Sequence, residues 1–244
     1  TRADVTTYDV FADVTLHATD RLDVFAGGRA TWDKKEVTLQ GLTPNGVSTL
    51  TKGGLLLAPT PGGAVLEGTN SSTTLTGRAG VRYAVSPNVN LYAVYGIGKR
   101  PEVLQVNANK PAEIIPTEKL ASVEGGVKFR LMGGRLVGDA SVFHYDYDNF
   151  QTLGFVNGVL ATINAGKADA TGFETQLNWT IAPGVSIFGS YGYNKARFRS
   201  GAYAGNRFRN SPDHKFAIGG NVEAARVAGI QVEHHLHACA DRAG

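Results

Sequence analysis

Near the end of the sequence, a carboxylate, two imidazoles and a thiol occupy alternate positions. They are Glu233, His235, His237 and Cys239, and in an extended strand such alternate residues share one face, with their Cβ atoms about 7 Å apart. Imidazole, carboxylate and thiolate groups are ligands for Zn²⁺ or Cu²⁺. Polar side chains at alternate positions also describe a strand face that lines a water-filled channel. We therefore treat Glu233, His235 and His237 as a weak metal candidate and expect no cofactor.

A second set combines His144 with Asp146 and Asp148 in the run His-Tyr-Asp-Tyr-Asp. A histidine and a carboxylate at the rim of a barrel could activate water. Nearby, Gly96 and Gly98 lack the third glycine and the following helix of a dinucleotide-binding turn. The sequence contains no nucleophile elbow, phosphate-binding loop or zinc-protease helix, so it predicts no enzyme and no catalytic residues.

The composition excludes several classes of protein. The 244 residues carry 24 Lys+Arg and 21 Asp+Glu, a net charge of +3 that gives no sign of nucleic acid as a partner. A single cysteine cannot form an internal disulfide. Glycine is abundant at 31 residues and charged residues are few at 18%, which argues against a helical bundle. The longest uncharged apolar stretch, residues 53–66, contains two prolines and is shorter than the roughly 18 residues that a transmembrane helix needs.

The segments that must position these residues alternate apolar and polar side chains with period 2, the pattern of β-strands. Between residues 121 and 131, Val123, Val127 and Phe129 alternate with Glu124 and Lys128. The same alternation is found in residues 8–17, 81–86, 89–100, 173–181 and 230–238. The sequence contains about ten such strands.

Tight turns alternate with long connections along the chain. The turns are predicted at residues 18–21, 86–88, 132–134, 182–184 and 225–228, and the long connections at approximately 36–72, 101–117, 150–166 and 199–212. Short turns on one side and long loops on the other are typical of outer-membrane barrels. The sequence therefore predicts an all-β fold, an antiparallel up-and-down transmembrane β-barrel segment of about 10–12 strands. A soluble barrel of the lipocalin type would alternate in the same way.

Aromatic residues on the apolar faces favour the membrane barrel over the soluble one. They form two groups according to their distance from the short turns, as expected for aromatic girdles at the two membrane interfaces. The near group is Tyr83, Phe129 and Trp179, and the far group is Tyr8, Trp32, Tyr95, Phe173, Tyr191, Tyr193 and Phe216. The opposite faces carry many charges, which suit a wet lumen or one that holds a polar plug.

Four phrases of the sequence resemble the barrel of TonB-dependent outer-membrane receptors. They are YDVFADVTLHATDRLDVFAGGRATWD at residues 8–33, NLYAVYGIGKRP at 90–101, INAGKADATGFETQL at 163–177 and GNRFRNSPDHKF at 205–216. The resemblance covers nearly the whole chain and implies a receptor in the bacterial outer membrane that imports ferric siderophores or similar scarce nutrients. It implies as partners a ferric siderophore or similar small ligand, the TonB energy-coupling complex acting through the plug domain, and outer-membrane lipid and lipopolysaccharide.

Departures from the family pattern shape the expected domain organisation. No plug domain with an energy-coupling box is recognisable in the sequence, and the roughly ten to twelve strands are fewer than the 22 of the family. We therefore expect residues 1–244 to form a partial receptor barrel domain. The alternative function is a self-contained small outer-membrane pore or surface-binding barrel, which would require its first and last strands to pair.

Cationic and aromatic residues in the long connections are the candidates for ligand binding. They are Arg100, Lys110, Tyr203, Arg207 and Arg209, together with Arg199. Guanidinium groups and tyrosine rings suit anionic iron chelates, such as catecholates or hydroxamates, through charge-assisted hydrogen bonds and stacking. The same side chains could instead contact lipopolysaccharide or keep the surface solvated.

Overall fold

The computed structural model of the chain describes residues 2–40, 65–107, 110–156, 159–227 and 230–242. The side chains at 106, 107, 110, 111, 159, 224–227 and 230–242 are outside this description. The described residues form fourteen β-strands and one short 3-10 turn at Met132–Gly134. The strands are β1 Arg2–His17, β2 Leu22–Leu39, β3 Leu66–Ser86, β4 Val89–Arg100, β5 Val103–Asn107, β6 Lys110–Ile115, β7 Glu118–Leu131, β8 Leu136–Asp148, β9 Gln151–Val156, β10 Val159–Asn164, β11 Ala168–Ala182, β12 Val185–Phe198, β13 His214–Val227 and β14 Ile230–Arg242.

Ten of these strands form one antiparallel sheet in the order β1-β2-β3-β4-β7-β8-β11-β12-β13-β14. Neighbours in this order follow one another along the chain apart from two inserted hairpins, which is the up-and-down topology that the sequence predicts. Among the described strands β1 and β14 lie at opposite edges, so the sheet is an open one. The all-β fold and the expected strand number are confirmed.

Short turns join the strands at one end of the sheet, which we call the turn end. The turns predicted at 18–21, 86–88, 132–134 and 182–184 lie where expected. In the turn at 182–184, Gly184 has a φ of 75°, a left-handed conformation that favours glycine. The turn predicted at 225–228 begins too early, because β13 continues to Val227 and β14 begins at Ile230. The cause is local irregularity: the β13–β14 register shifts between Ala224 and Val227.

The opposite end, which we call the loop end, carries the long connections. Two of them are hairpins of their own, β5–β6 and β9–β10, each a separate two-stranded sheet. The third, between β12 and β13, contains a single isolated bridge from Arg197 to Arg207. The first predicted connection, 36–72, is too long at both ends, because β2 reaches Leu39 and β3 begins at Leu66; the residues between 41 and 64 are outside the described part of the chain.

The sheet has one polar face and one apolar face, as strand alternation requires. The polar face carries Asp23, Arg82, Glu124 and Glu174, while the apolar face exposes Tyr83, Tyr95, Trp179, Ile218 and similar side chains. The described residues include no helix long and apolar enough to cross a membrane.

The far aromatic group crosses the apolar face on a slant. Cross-strand neighbours of Tyr191 on β12 lead through five intervening strands to Leu22 on β2, and Trp32 lies ten residues farther along β2. From Tyr191 to Trp32 the belt therefore shifts by about 33 Å along the strand direction while it crosses about 29 Å of sheet. The line that joins the two residues is inclined by roughly 45–50° to the direction perpendicular to the strands. Strands of outer-membrane barrels tilt by about 35–45°. Trp32 and Tyr191 therefore lie at nearly the same height in a tilted barrel, as a belt at one interface does.

Buried apolar side chains concentrate toward the loop end. The described ones are Leu39, Ile115, Phe143, Ala165, Ala168, Ala170, Ala196 and Phe198. Elsewhere the sheet is a single layer held by strand pairing, and its apolar face is exposed, as the predicted membrane barrel requires.

Candidate functional site

Five aromatic rings pack together over the polar face at the loop end. We call Tyr147, Phe150, Phe198, Tyr203 and Phe208 the aromatic cluster. Ring centroids are 4.7 Å apart for Phe150 and Phe208, 4.9 Å for Phe198 and Phe208, and 5.6 Å for Phe198 and Tyr203. Ala165 and Ala168 lie beneath the rings and are almost fully buried. Centroid separations of 4.5–7 Å are those at which aromatic pairs stabilise one another beyond simple burial.

The cluster is assembled from strand ends and from two different long connections. Phe198 ends β12, and its N–H donates to Asn206 O at 3.0 Å while its carbonyl accepts from Gly205 N at 2.8 Å. This pairing folds the β12–β13 connection back and delivers Tyr203 and Phe208 onto Phe198. Phe150 is held by a second reciprocal pair, because its N–H donates to Gly166 O and its carbonyl accepts from Ala165 N, both at 2.8 Å. The rings are thus placed by backbone hydrogen bonds as well as by burial.

Gln151 ties the bases of two loops together. Its side-chain amide donates to the carbonyls of Pro101 at 3.1 Å and Pro116 at 2.9 Å, and its N–H donates to Glu118 Oε2 at 2.6 Å. Its own carbonyl accepts from the Arg100 guanidinium at 3.2 Å. Gln151 is only 3% exposed, so these bonds are shielded from competing water.

Gln105 joins the two loop hairpins. Its side-chain amide donates to Thr162 O at 2.6 Å and accepts from Thr162 N at 3.2 Å, reproducing the two bonds that a neighbouring strand residue would make. The β5–β6 hairpin is also anchored to the sheet, since Lys35 Nζ donates to Glu102 O and Asn70 Nδ2 to Glu102 Oε1, both at 2.7 Å. The two hairpins therefore form one connected layer over the polar face.

The predicted ligand residues fall into separate positions around this layer. Tyr203 belongs to the aromatic cluster, and Arg209 is exposed in the turn directly after Phe208. Arg207 pairs with Asp213 at 2.9 Å, and Arg100 lies at the base of the β5–β6 hairpin. The side chain of Lys110 lies outside the described residues, although its backbone begins β6.

Arg199 is engaged on the other face of the sheet. Its guanidinium donates to both carboxylate oxygens of Asp169, with 2.7 Å between Nη2 and Oδ2. Asp169 shares its side of the sheet with Arg197, not with the neighbouring Ala168 that supports the aromatic cluster. The hydrogen bonds to Asp169, and then its charge, raise the pKa of Arg199 above its ordinary value, so this guanidinium stays charged and occupied.

The metal candidate stays a prediction, because its side chains lie outside the described residues, whereas the water-activation candidate can be placed. The side chains of Glu233, His235 and His237 lie outside the description, and their backbones pair with Glu223, Asn221 and Gly219. Among the residues whose side chains are described, no group of three His, Cys, Asp or Glu could hold a metal ion. His144 bonds to Asp146 at 3.2 Å and to Thr171 at 2.7 Å, on the face of β8 opposite the aromatic cluster.

Sequence reasoning missed Phe150, Phe198, Phe208 and Gln151. A partial signal was available, because the polar face of β8 becomes aromatic toward the loop end at Phe143, Tyr145 and Tyr147. An aromatic run on the nominally polar face indicates something packed over it. The identity of the covering loops could not be obtained from that run.

Ion pairs occupy the polar face at the other side of the sheet, on β1–β3. Asp9 binds Arg29 at 2.6 Å, Asp13 binds Arg78 at 3.3 Å, and Asp23 lies between Arg82 and His17. The Asp13–Arg78 pair crosses β2 above Gly27, where an added Cβ would lie 2.1 Å from Asp13 Oδ1. Most of these side chains are at least half exposed.

Comparison with known proteins identifies the family. Residues 1–227 match the family described as TonB dependent receptor-like, beta-barrel. The pesticin receptor of Yersinia enterocolitica is 27% identical over 220 residues, which cover 88% of this chain and 30% of that protein. The chain therefore spans less than a third of the length of the curated relatives it matches. These relatives are named as receptors and not as enzymes.

Two solved structures show the same fold at low sequence identity. The ferric yersiniabactin uptake receptor FyuA from Yersinia pestis superposes with a TM-score of 0.79 at 22% identity, covering 96% of this chain and 34% of that one. The ferric-catecholate import receptor Fiu from E. coli K12, in its closed form, gives 0.71 at 19% identity, covering 91% and 33%. The matched family, the open antiparallel sheet and the slanted aromatic belt agree: the chain belongs to the TonB-dependent receptors and forms part of their β-barrel in the bacterial outer membrane.

Proposed function

We propose that this chain, residues 1–244 as one barrel domain, is the part of a receptor barrel that presents a ferric siderophore or similar scarce nutrient to the lumen for TonB-coupled import. The observation that carries the proposal is the aromatic cluster at the loop end. In outer-membrane barrels the long loops face the exterior, so this cluster lies where an incoming ligand first meets the polar face.

The arrangement suits a rigid, partly aromatic, anionic ligand. Tyr203 offers a ring and a hydroxyl at the edge of the aromatic cluster, and the exposed Arg209 follows Phe208 directly in sequence. Arg100 adds positive charge at the edge of the same layer, whereas a ligand would have to compete with Asp213 for Arg207. Guanidinium groups recognise carboxylate and phenolate oxygens through charge-assisted hydrogen bonds. We assign first contact to Tyr203 and Arg209, with Arg100 and Lys110 contributing electrostatic attraction.

The barrel segment would act as a conduit, with energy supplied elsewhere. In this proposal the plug domain of the receptor gates the lumen and couples it to the TonB complex. The charged polar face of β1–β4 and β7 provides the wet surface along which a hydrophilic chelate can move.

The test uses the full-length receptor that contains this segment, expressed in cells that lack other ferric siderophore receptors. Binding and uptake of ⁵⁵Fe-labelled ferric yersiniabactin and of a ferric catecholate are measured with and without a functional TonB complex. We expect binding of one chelate in both backgrounds and uptake only with TonB. A Tyr203→Ala/Arg209→Ala double variant should lose at least about tenfold in affinity, as removal of a charge-assisted hydrogen bond and a ring contact does.

The control variant is Phe155→Ala, which removes an exposed ring on β9 outside the aromatic cluster. Uptake that continues without TonB would refute active transport. The alternative function, a self-contained small pore, would then have to be shown by passive conductance in planar bilayers. It would also require β1 to pair with β14, although these strands lie at opposite edges of the described sheet.

A further inference from the structure

A pocket of about 350 Å³ opens on the polar face of the sheet near the turn end. Residues of β4, β7, β8 and β11 line it, and we call it the turn-end pocket. Its polar lining includes Asn90, Lys128, Arg130, Asp139, Gln176 and Asn178. Cross-strand pairing aligns four of these in one row: Asn90, Lys128, Asp139 and Gln176. Because the short turns of outer-membrane barrels face the periplasm, the pocket lies on the periplasmic side, away from the aromatic cluster.

The charged side chains of the turn-end pocket are not paired with one another. Lys128 lies directly opposite Asp139 in the β7–β8 register, yet within the described part of the chain neither makes a side-chain ion pair. Lys128 Nζ lies instead 5.7 Å from the centroid of the Tyr92 ring. Arg130 is exposed and also has no carboxylate partner among the described residues. By contrast, three cations on the polar face of β1–β3 each bind a carboxylate, namely Arg29, Arg78 and Arg82.

These unpaired groups suit a small carboxylate that also carries a hydroxyl or ammonium group. Lys128 and Arg130 occupy alternate positions of β7, with Cβ atoms about 7 Å apart on one face, and both can donate to carboxylate oxygens. Asp139 on the next strand only accepts when it is ionised, so it pairs with a hydroxyl or ammonium donor of the solute. A carboxylate without such a donor would leave Asp139 unpaired beside it.

We propose that the turn-end pocket binds a solute of this class, with Lys128 and Arg130 donating to its carboxylate and Asp139 accepting from its hydroxyl or ammonium group. Two features support this occupant: the charge complementarity of the three side chains, and a volume in the range of small-molecule pockets. This role rests on the proposed function, because it treats the polar face as the route of the solute. A carboxylate-bearing chelate then meets the aromatic cluster first and the turn-end pocket last, before its release into the periplasm.

The test measures carboxylate binding to the purified full-length receptor in detergent, by saturation-transfer NMR titration. The probes are malate, succinate, which lacks the hydroxyl group of malate, and dimethyl malate, whose carboxylates are neutral esters. We expect malate to bind more tightly than succinate, and dimethyl malate not to bind. Lys128→Ala/Arg130→Ala should weaken malate binding at least about tenfold, because two charge-assisted donors are lost. Asp139→Asn should abolish the preference for malate over succinate.

A matched control removes two other cations from the polar face. Arg78→Ala/Arg82→Ala acts on β3, outside the turn-end pocket, and should keep near-native malate binding, as should Lys128→Arg, which retains the charge. Equal losses in both double variants would refute a specific pocket and indicate a general effect of net charge. Absence of malate binding to the native receptor would refute the site and indicate that another part of the receptor covers this wall.

Uptake separates this role from the proposed function. In the ⁵⁵Fe experiment, Lys128→Ala/Arg130→Ala should leave the affinity of cells for the chelate unchanged and slow its uptake several-fold, whereas Tyr203→Ala/Arg209→Ala lowers the affinity. Native uptake by the Lys128→Ala/Arg130→Ala variant would refute the turn-end pocket as a stop on the route. Malate binding by a native receptor that imports no chelate would refute the proposed function and leave only the binding site.

Discussion

The polar face of the sheet differs between two groups of strands. On β8, β11 and β12 near the loop end, it is covered by loops that bury the aromatic cluster. On β1–β3, apart from the stretch near Lys35 and Asn70 that the β5–β6 hairpin covers, it is open and carries rows of exposed ion pairs. The same alternation of side chains therefore produces a dry packed layer in one region and a wet charged surface in the other.

This difference separates what each region can contribute. Burial of rings gives large free energies and fixes the positions of the loops, as a surface that meets a ligand requires. Exposed ion pairs contribute little to stability, but they keep the wall hydrated for a polar solute. The comparison indicates that the β8–β12 region holds the aromatic cluster and its loops in place, and that the open part of β1–β3 only has to remain wet.

The largest expected effect comes from removing a ring of the aromatic cluster. Phe198 is 8% exposed, and Phe198→Ala should lower the free energy of unfolding by about 3–5 kcal/mol, as for other buried phenylalanines. Phe155→Ala, at a ring 72% exposed, is the control and should change it by less than about 0.5 kcal/mol. Urea unfolding of the full-length receptor measures both, and comparable losses would contradict a packed layer at Phe198.

Glycine substitution on the polar face sharpens the comparison. A Cβ at Gly172 would lie 2.3 Å from Phe143 and 2.4 Å from the carbonyl oxygen of Tyr193. Because that backbone oxygen cannot move aside, Gly172→Ala should cost about 1–3 kcal/mol. Gly27→Ala should cost several-fold less, since the Asp13 carboxylate it meets can rotate toward water. The urea midpoints of unfolding of the two variants test this prediction. A larger loss for Gly27→Ala than for Gly172→Ala would contradict it.

Loss of the link between hairpins should have a smaller, local effect. Gln105→Ala removes both bonds to Thr162, each worth about 1 kcal/mol. We expect faster amide hydrogen exchange in β9 and β10 while β8 and β11 keep their protection. Unchanged exchange in both hairpins would show that packing of the aromatic cluster alone holds them.

The smallest effect should come from an exposed ion pair. Arg78 and Asp13 are 64% and 59% exposed, so Arg78→Ala should leave the unfolding midpoint within experimental error at 0.15 M salt. A double-mutant cycle with Asp13→Ala measures the coupling. A coupling that survives 1 M salt would contradict a solvated polar face on β1–β3.

Much of the fold could be predicted from residues alone. Alternation in segments such as Val123–Phe129 identified strands, and the turns at 18–21 and 182–184 fixed their order. The far belt of Trp32, Tyr95 and Tyr191 could be grouped by distance from the turns because strand tilt is nearly constant. The predicted ligand residues do not share one location. Tyr203 belongs to the aromatic cluster, whereas Arg199 binds Asp169 on the opposite face of the sheet.

The sequence by itself determined the strands, the two faces and the membrane-facing belt, because those depend on a side-chain period of two and on the local chemistry of turns. Only the tertiary structure decided which parts of the polar face are covered. Phe150, Phe198 and Phe208 meet through two connections that are separated by the two strands β11 and β12, and Gln151 binds carbonyls in another loop. Such contacts depend on how loops fold back across neighbouring strands, which no local periodicity encodes.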